Sequence, residues 1–272
     1  MEPLSQILYR LLHPHYILNL LLSSAWFLLR HTPLSQHYLP EAEGFEREYK
    51  IYIPITLMLL LKLRSVVSAE EAVSVVFLYA KVINLALFYW YGRWWILLSL
   101  ALAYILVFAI IPQPPYRGPT NVVELTGEDF AGISTPKKLE TVEEENVKWI
   151  VLMYATWNAA CRNFEPVVAR TSLKYTKSVK FGKIDVEKYP GVAESVQINT
   201  DPTSFDLPTL VMFQSGKEIK RLPERVVDDE GRRKLGRDTL QRLGWDRTMK
   251  SIVSAFKLEE RIDNKEKDEK LD

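Results

Sequence analysis

The chain has a single cysteine, Cys161, among its 272 residues. One cysteine cannot form an intrachain disulfide and cannot alone make a cysteine-based metal site, so any disulfide must join another molecule. The sequence also lacks an Asn-x-Ser/Thr sequon, which favours a soluble part outside the secretory lumen. Of the four histidines, His13 and His15 lie two apart but lack partners for a metal site. We therefore predict no metal and no cofactor.

The charge is unevenly distributed along the chain. The formal net charge of +1 and the hydrophobic share of 47% are averages over two unlike halves of the chain. Before about residue 113 the chain is rich in Leu, Ile, Val, Tyr and Trp, and after it charged residues occur throughout. This asymmetry predicts a helical membrane region at 1–113, a soluble domain at 114–257 and a charged, disordered tail at 258–272. We expect the membrane as a partner and predict no nucleic-acid partner.

Four apolar runs in the first half are candidate membrane spans. A helix needs about 20 apolar residues to cross a bilayer. The run that follows Arg93 is uncharged and ends at a proline cluster, so it is the best candidate, whereas the preceding run contains Lys81 and Asn84. We expect two to four spans, drawn in this order from 94–111, 72–91, 14–29 and the weak run 51–63, which Pro54 interrupts.

Two alternatives apply to this region. The first run follows Arg10 and could be a cleaved signal sequence, but the bulky stretch 27–31 offers no small-x-small cleavage site. An intramembrane lysine such as Lys81 can mark a transport path. Because the other runs contain no matching acid, we favour a Lys81 that snorkels along the helix or faces Asn84 at a helix contact.

Short β-rich runs alternate with amphipathic helices after the prolines, which is typical of an α/β domain. The continuous apolar run Lys148–Tyr154 predicts a strand buried on both faces. A hairpin is expected around Gly216, which can supply the positive φ of the turn. The other predicted elements are strands 122–125, 179–186, 209–213 and 218–221, and helices 163–177 and 238 or 245 to 256.

Three segments carry a family resemblance: VLMYATWNAACRNFEPV, FGKIDVEKYPGVAESVQI and DLPTLVMFQSGKEI. Together they cover most of residues 120–256 and resemble the thioredoxin fold. Trp157 matches the tryptophan before the Cys-x-x-Cys site, Pro166 the helix-kinking proline, Asp185-Val186 a strand end, and Leu207-Pro208-Thr209 the cis-proline loop. With the preceding span and the stretch 199–206, the chain resembles the thioredoxin-related transmembrane proteins of the protein disulfide isomerase superfamily. This resemblance implies a central mixed sheet flanked by helices, preceded by an α-helical membrane region.

The resemblance also implies what the redox motif Trp157-Asn158-Ala159-Ala160-Cys161 lacks. Active members use a first cysteine to attack a disulfide and a second to release the mixed disulfide. Asn158 occupies the first place, and an amide cannot attack sulfur. Leu152 stands where the family has a proton-transferring acid. We therefore expect no disulfide oxidoreductase activity and no catalytic residue.

The predicted surviving surface is a peptide-binding rim made of Trp157, Leu207, Pro208 and Thr209, with a cis Leu207–Pro208 bond. This rim predicts a redox-inactive binding, adaptor or regulatory module with protein partners or clients. Cys161 has two interpretations, a small hydrophobe packed under Trp157 or a redox and regulatory thiol. The second makes the protein a single-thiol sensor, a disulfide-linked oligomer or a homodimer. A membrane channel or carrier subunit is a further alternative.

The resemblance implies a multi-pass protein of the endoplasmic reticulum membrane. The family's C-terminal two-lysine signal is degraded here, because Lys270 is third from the end but Glu269 and Asp268 precede it. Basic residues flank both ends of the last span, so the positive-inside rule does not decide the orientation. The shortage of cysteines and sequons favours a cytosolic thioredoxin-like domain.

Overall fold

The computed structural model describes residues 4–33, 46–135, 147–176, 179–227 and 235–259. The chain forms two compact units, Met1–Pro115 and Tyr116–Asp272. The first consists of helices in its described residues, and the second combines a sheet with helices. The predicted tail beyond residue 259 lies outside the described residues.

The first unit contains helices α1 to α6: Leu4–Leu11, Pro14–Ser23, Ala25–His31, Glu46–Leu63, Ala69–Trp90 and Trp94–Ile110. Among the described helices, α5 alone has both the length and the composition of a membrane span, and α6 is a shorter apolar helix. At 1.5 Å per residue, α5 covers about 33 Å and α6 about 26 Å. The sequence ranked these two runs in the opposite order, because Lys81 and Asn84 interrupt the apolar character of α5, whereas α6 carries no charge.

The predicted span 14–29 is two helices, which separate at Ser24. Asn84 of α5 is buried at this break, and its amide nitrogen donates to the carbonyl oxygens of Leu22 at 3.0 Å and Ser23 at 2.9 Å. The Asn84 side-chain oxygen accepts from the backbone N–H of Trp26 at 3.3 Å. Asn84 thus satisfies backbone groups that a break in the helix leaves without helical partners.

Lys81 has a different partner from the one expected. Its ammonium donates to the side-chain oxygen of the buried Asn19 on α2, not to Asn84. It also lies over the Tyr104 ring of α6, 5.1 Å from the ring centroid. The charge is therefore held at a contact among three helices. Neither contact requires a transport path.

The second unit contains strands β1 to β5 and helices α7 to α11. In chain order these are β1 Val122–Glu124, α7 Gly127–Ser134, β2 Lys148–Tyr154, α8 Ala159–Tyr175, β3 Lys180–Asp185, α9 Pro190–Ser195, β4 Thr209–Gln214, β5 Lys217–Leu222, α10 Leu235–Gly244 and α11 Met249–Phe256. The sheet order is β1-β3-β2-β4-β5. Strands β1, β3 and β2 are parallel, and β4 and β5 run antiparallel to their neighbours. The predicted mixed sheet is confirmed.

The centre of the sheet is closely packed. Five consecutive residues at the end of β2, 150–154, are buried, as expected for a strand covered on both faces. At Gly182 of β3 a Cβ atom would lie 2.6 Å from Cδ1 of Leu125. Glycine at this position lets the β1 connection approach β3 closely.

Two predicted helices differ from the structure, and two observed helices were not predicted. Helix α8 begins at Ala159 and not at residue 163, because Asn158 caps it. The predicted last helix is two helices, since Thr248 caps a new helix after the turn at Arg247. The sequence analysis did not predict α7 and α9. The hairpin turn uses two positive φ angles, at Ser215 (50°) and Gly216 (76°).

Candidate functional site

The redox-like motif lies where β2 ends and α8 begins. Asn158 has extended backbone angles, and its side-chain oxygen accepts from the backbone N–H groups of Ala160 at 2.9 Å and Cys161 at 3.3 Å. These N–H groups belong to the first turn of the helix, which lacks the acceptors of the regular helical pattern. The Cys161 N–H also donates to the backbone carbonyl oxygen of Asn158 at 3.1 Å. Asn158 therefore caps the N-terminus of α8, at the position where the sequence resemblance implies a nucleophilic cysteine in active members.

Cys161 is fully buried one turn into α8. Burial raises the pKa of its thiol to about 12, because a thiolate loses its hydration there. The nearby carboxylate of Glu165 also raises this pKa, whereas the charges of Arg247 and Arg162 lower it. At neutral pH the group is a thiol with no exposed surface, which matches the description of cysteine as a small packed hydrophobe.

A carboxylate that the sequence analysis did not single out lies behind the motif. Glu165 is buried in α8, accepts from the backbone N–H of Tyr116 at 3.0 Å, and pairs with Lys183 of β3 at 3.4 Å. Glu165, Lys183 and Leu152 line the same small cavity of about 30 Å³. Glu165 thus places a carboxylate on the helix side of the cavity that Leu152 also lines. Its position four residues after Cys161 was visible in the sequence, but its burial was not.

The loop before β4 contains the cis peptide bond Leu207–Pro208, as expected from the motif. Leu207 and Pro208 line a cleft of about 300 Å³ together with Asn158 and Ala160 from the start of α8. The other lining residues come from the loop before β4, the end of β5 and the α10–α11 region: Pro202, Ser204, Phe205, Pro223, Arg242, Leu243, Trp245 and Arg247.

Not every residue of the predicted rim belongs to this cleft. Trp157 is 39% exposed and is not among its lining residues. Thr209 is completely buried, and its hydroxyl donates to the carbonyl oxygen of Asp206, so its side chain has a structural role. The structure brings together Leu207, Pro208 and the motif residue Asn158.

A buried charge cluster supports the wall of the cleft. Arg242 of α10 pairs with Asp238 at 2.8 Å and with Asp206 at 3.6 Å, and all three side chains are at most 4% exposed. Asp206 also accepts from the backbone N–H of Asn199 at 2.9 Å. These contacts join both ends of the 199–206 stretch to α10. The guanidinium of Arg242 is therefore neutralised, although it lines the cleft.

The α10–α11 side of the site was not expected from the sequence. Trp245 packs edge-to-face on Phe164 of α8, with ring centroids 5.0 Å apart, and Arg247 follows it with a left-handed backbone φ of 52°. The aromatic residue was visible in the sequence as the start of a candidate helix. Nothing in the local pattern indicated that this turn faces the motif.

The order of the strands, the cap at the start of α8 and the cis-proline loop define a protein of the thioredoxin-fold class, joined here to a helical membrane region. The thioredoxin family model matches residues 134–231. Thioredoxin-related transmembrane protein 2-A of Danio rerio is 34% identical over 256 residues, which are 91% of this chain and 78% of the relative. Thioredoxin-related transmembrane protein 2 of Xenopus tropicalis is 31% identical over 259 residues, which are 91% of this chain and 82% of the relative.

The chain belongs to the family of thioredoxin-related transmembrane protein 2. Among solved structures, the thioredoxin NaTrxh of Nicotiana alata is 27% identical and matches 41% of this chain and 87% of its own length, with a TM-score of 0.33.

Proposed function

We propose that this chain is a redox-inactive binding or adaptor module of the endoplasmic reticulum membrane. The observation that carries the proposal is that the motif offers no reactive thiol. Asn158 caps α8 where a nucleophile would be needed, and Cys161 is a buried thiol with a pKa of about 12. Reduction of a disulfide takes two electrons from two thiols, and this chain has one cysteine.

The remaining function is capture of an extended protein segment at the cleft. In this fold the loop before the cis-proline can offer backbone groups to an added strand. Residues Leu207 and Pro208 line the cleft beside Asn158, so such a segment would run past the start of α8. The alternative of a single-thiol sensor or a disulfide-linked homodimer requires Cys161 to reach another molecule, and its complete burial argues against that alternative.

A disulfide-reduction assay tests the redox half of the proposal. The full chain, purified in detergent, should reduce insulin disulfides no faster than its Cys161→Ala variant when dithiothreitol supplies the electrons. Asn158→Cys should give partial activity, and adding Leu152→Glu should increase it by restoring proton transfer. Wild-type turnover above the Cys161→Ala control would contradict the proposal.

A crosslinking comparison in cells tests the binding half. Pro208→Asp should weaken capture of protein partners, because it removes the loop geometry beside the cleft. Cys161→Ser should change capture little, since the thiol is buried. If Cys161→Ser alone abolished capture, and reductant did the same, the single-thiol function would replace the proposed one.

We further propose that the protein spans the membrane more than once and that its thioredoxin-like domain lies in the cytosol. The support for this proposal is the pair of apolar helices α5 and α6, together with the absence of sequons in the whole sequence. Protease added to intact microsomes should digest residues 120–256, and alkaline carbonate should leave a fragment from residue 92 onward in the pellet. Protection of that domain without detergent would reverse the orientation.

A further inference from the structure

We propose that the cleft recognises an extended protein segment in which an Asp or Glu side chain lies next to an apolar side chain. Arg247 pairs with the carboxylate, and Phe205 and Leu243 receive the apolar side chain. This inference rests on the proposed binding function and adds the chemistry of the partner.

The charges that line the cleft determine which sign of charge the partner carries. Its lining residues include two cations, Arg242 and Arg247, and no acid. Arg242 is neutralised by Asp206 and Asp238 and is buried. Arg247 is half-buried and has no ion pair within the part of the chain that the structure describes. A carboxylate is the group that complements this cation.

The acid next to Arg247 in the sequence does not neutralise it. Both carboxylate oxygens of Asp246 are engaged by Thr248 at the start of α11, one by its backbone N–H at 3.1 Å and the other by its hydroxyl at 3.0 Å. Local bonding thus directs the acid toward the helix N-terminus, where a negative charge is favourable. The cleft retains the positive charge of Arg247.

The backbone turn at Arg247 determines where its side chain begins. Its φ of 52° lies in the left-handed region, where glycine or asparagine is favoured over a long side chain. Non-glycine residues held there concentrate at functional sites and ligand clamps. Gln197, Ser215 and Lys257 have similar φ angles, so this angle fixes the position of Arg247 in the turn and does not by itself assign a role to its side chain.

The apolar part of the partner follows from two exposed side chains. Phe205 is 53% exposed and Leu243 is 55% exposed, and both line the cleft. Their backbone neighbours Asp206 and Arg242 form the buried ion pair, so the two apolar side chains stand on a wall that is fixed from behind. A rigid apolar wall binds with a smaller loss of conformational entropy than a flexible loop does.

A binding assay with defined peptides tests the inference. The probes are fluorescein-labelled nine-residue peptides of serine and alanine with a central Leu-Glu, Leu-Gln or Leu-Lys pair, each also made in the reverse order. Binding to the full chain in detergent is measured by fluorescence polarisation. We expect at least one Glu peptide to bind about two- to fivefold more tightly than its Gln counterpart at low salt, and Lys peptides to bind most weakly.

Variants separate the carboxylate contact from the cleft itself. Arg247→Gln should abolish the preference for Glu over Gln, and Arg247→Glu should reverse it toward Lys. Arg237→Gln, at an exposed arginine of α10 outside the cleft lining, should change nothing. Phe205→Ser and Leu243→Ser should weaken the binding of all the peptides to the same extent. Raising the salt from about 0.05 to about 0.5 M should remove the Glu preference.

The outcomes distinguish the inference from the proposed function. Peptide binding that depends on Phe205 but shows no Glu preference, or a preference unaffected by Arg247→Gln, would overturn the inference and leave the binding function intact. Binding of no peptide at all would overturn both. The chain could instead associate with itself, show no preference among the peptides, and lose this association in the Arg247→Glu variant. That result would assign the cleft to a second copy of the chain and overturn the proposed partner.

Discussion

The side-chain oxygen of Asn158 accepts a hydrogen bond from the backbone N–H of Cys161 at 3.3 Å, so Asn158 holds the start of the helix that carries the single thiol of the chain. The same oxygen accepts from Ala160 at 2.9 Å. An amide in this position contributes to stability without taking part in sulfur chemistry. The motif therefore has a structural role at the start of α8.

The first prediction concerns this cap. Asn158→Ala should lower the free energy of opening of α8 by about 1 kcal/mol, because it leaves two N–H groups of the first turn without their side-chain acceptor. Asn158→Asp keeps an acceptor and should be nearly neutral. Hydrogen–deuterium exchange of α8 peptides in the full chain measures the difference. Equal exchange in the Ala and Asp variants would contradict the capping role.

The second prediction concerns the reactivity of Cys161. With a pKa of about 12, the thiolate fraction at pH 7 is on the order of 10⁻⁵, so iodoacetamide should alkylate the folded chain very slowly. The rate should rise about tenfold per pH unit above pH 7. A matched control carries Asn158→Cys with Cys161→Ala, which moves the thiol to the half-buried start of α8, and this variant should react far faster.

The raised pKa of Cys161 also predicts how stability changes with pH. In the unfolded chain the thiol ionises near pH 9, whereas the folded chain retains the proton up to about pH 12. Between these values the folded state binds more protons, so this group makes stability fall as the pH rises, by up to about 1.4 kcal/mol per pH unit. Cys161→Ala should remove this contribution, which pH-dependent exchange of the α8 amides would detect.

The third prediction concerns the ion cluster behind the cleft. Arg242→Met leaves the carboxylates of Asp206 and Asp238 buried without their cation, which should cost about 3–5 kcal/mol. Arg237→Met, on the same helix but exposed, should cost less than about 0.5 kcal/mol. Urea unfolding of the full chain, followed by exchange at β4 and α10, compares the two. Similar losses would show that the cluster is not the source of stability.

The fourth prediction concerns the helix break in the first unit. Asn84→Leu removes the side-chain bonds to Leu22, Ser23, Trp26 and Tyr104 and should destabilise the helices by about 2 kcal/mol, at roughly 0.6 for each bond in a membrane. Tyr104→Phe removes only the hydroxyl contacts to Asn84 and Leu22 and should cost less. Unfolding by SDS in mixed micelles measures both. Equal losses would contradict the role of Asn84 at the break.

Local patterns were sufficient for much of the fold. Lys148–Tyr154 was predicted as a buried strand with the same bounds that the structure shows, because a continuous apolar run followed by a turn leaves few alternatives. The cis Leu207–Pro208 bond followed from a short motif. Helix ends were less accurate: the cap at Asn158 starts α8 four residues earlier than the apolar periodicity indicated.

The sequence by itself determined the apolar half, the α/β half and the single cysteine, since each is a property of composition or of a few adjacent residues. Only the tertiary structure decided that Arg242 pairs with Asp206, 36 positions away, and that Arg247 lines the cleft at Asn158. It also decided that Glu165 is buried beside Lys183 and that Asn84 forms hydrogen bonds at the break between α2 and α3. Such contacts depend on packing between distant segments, and the chemistry of a single segment carries no information about which partner the fold places against it.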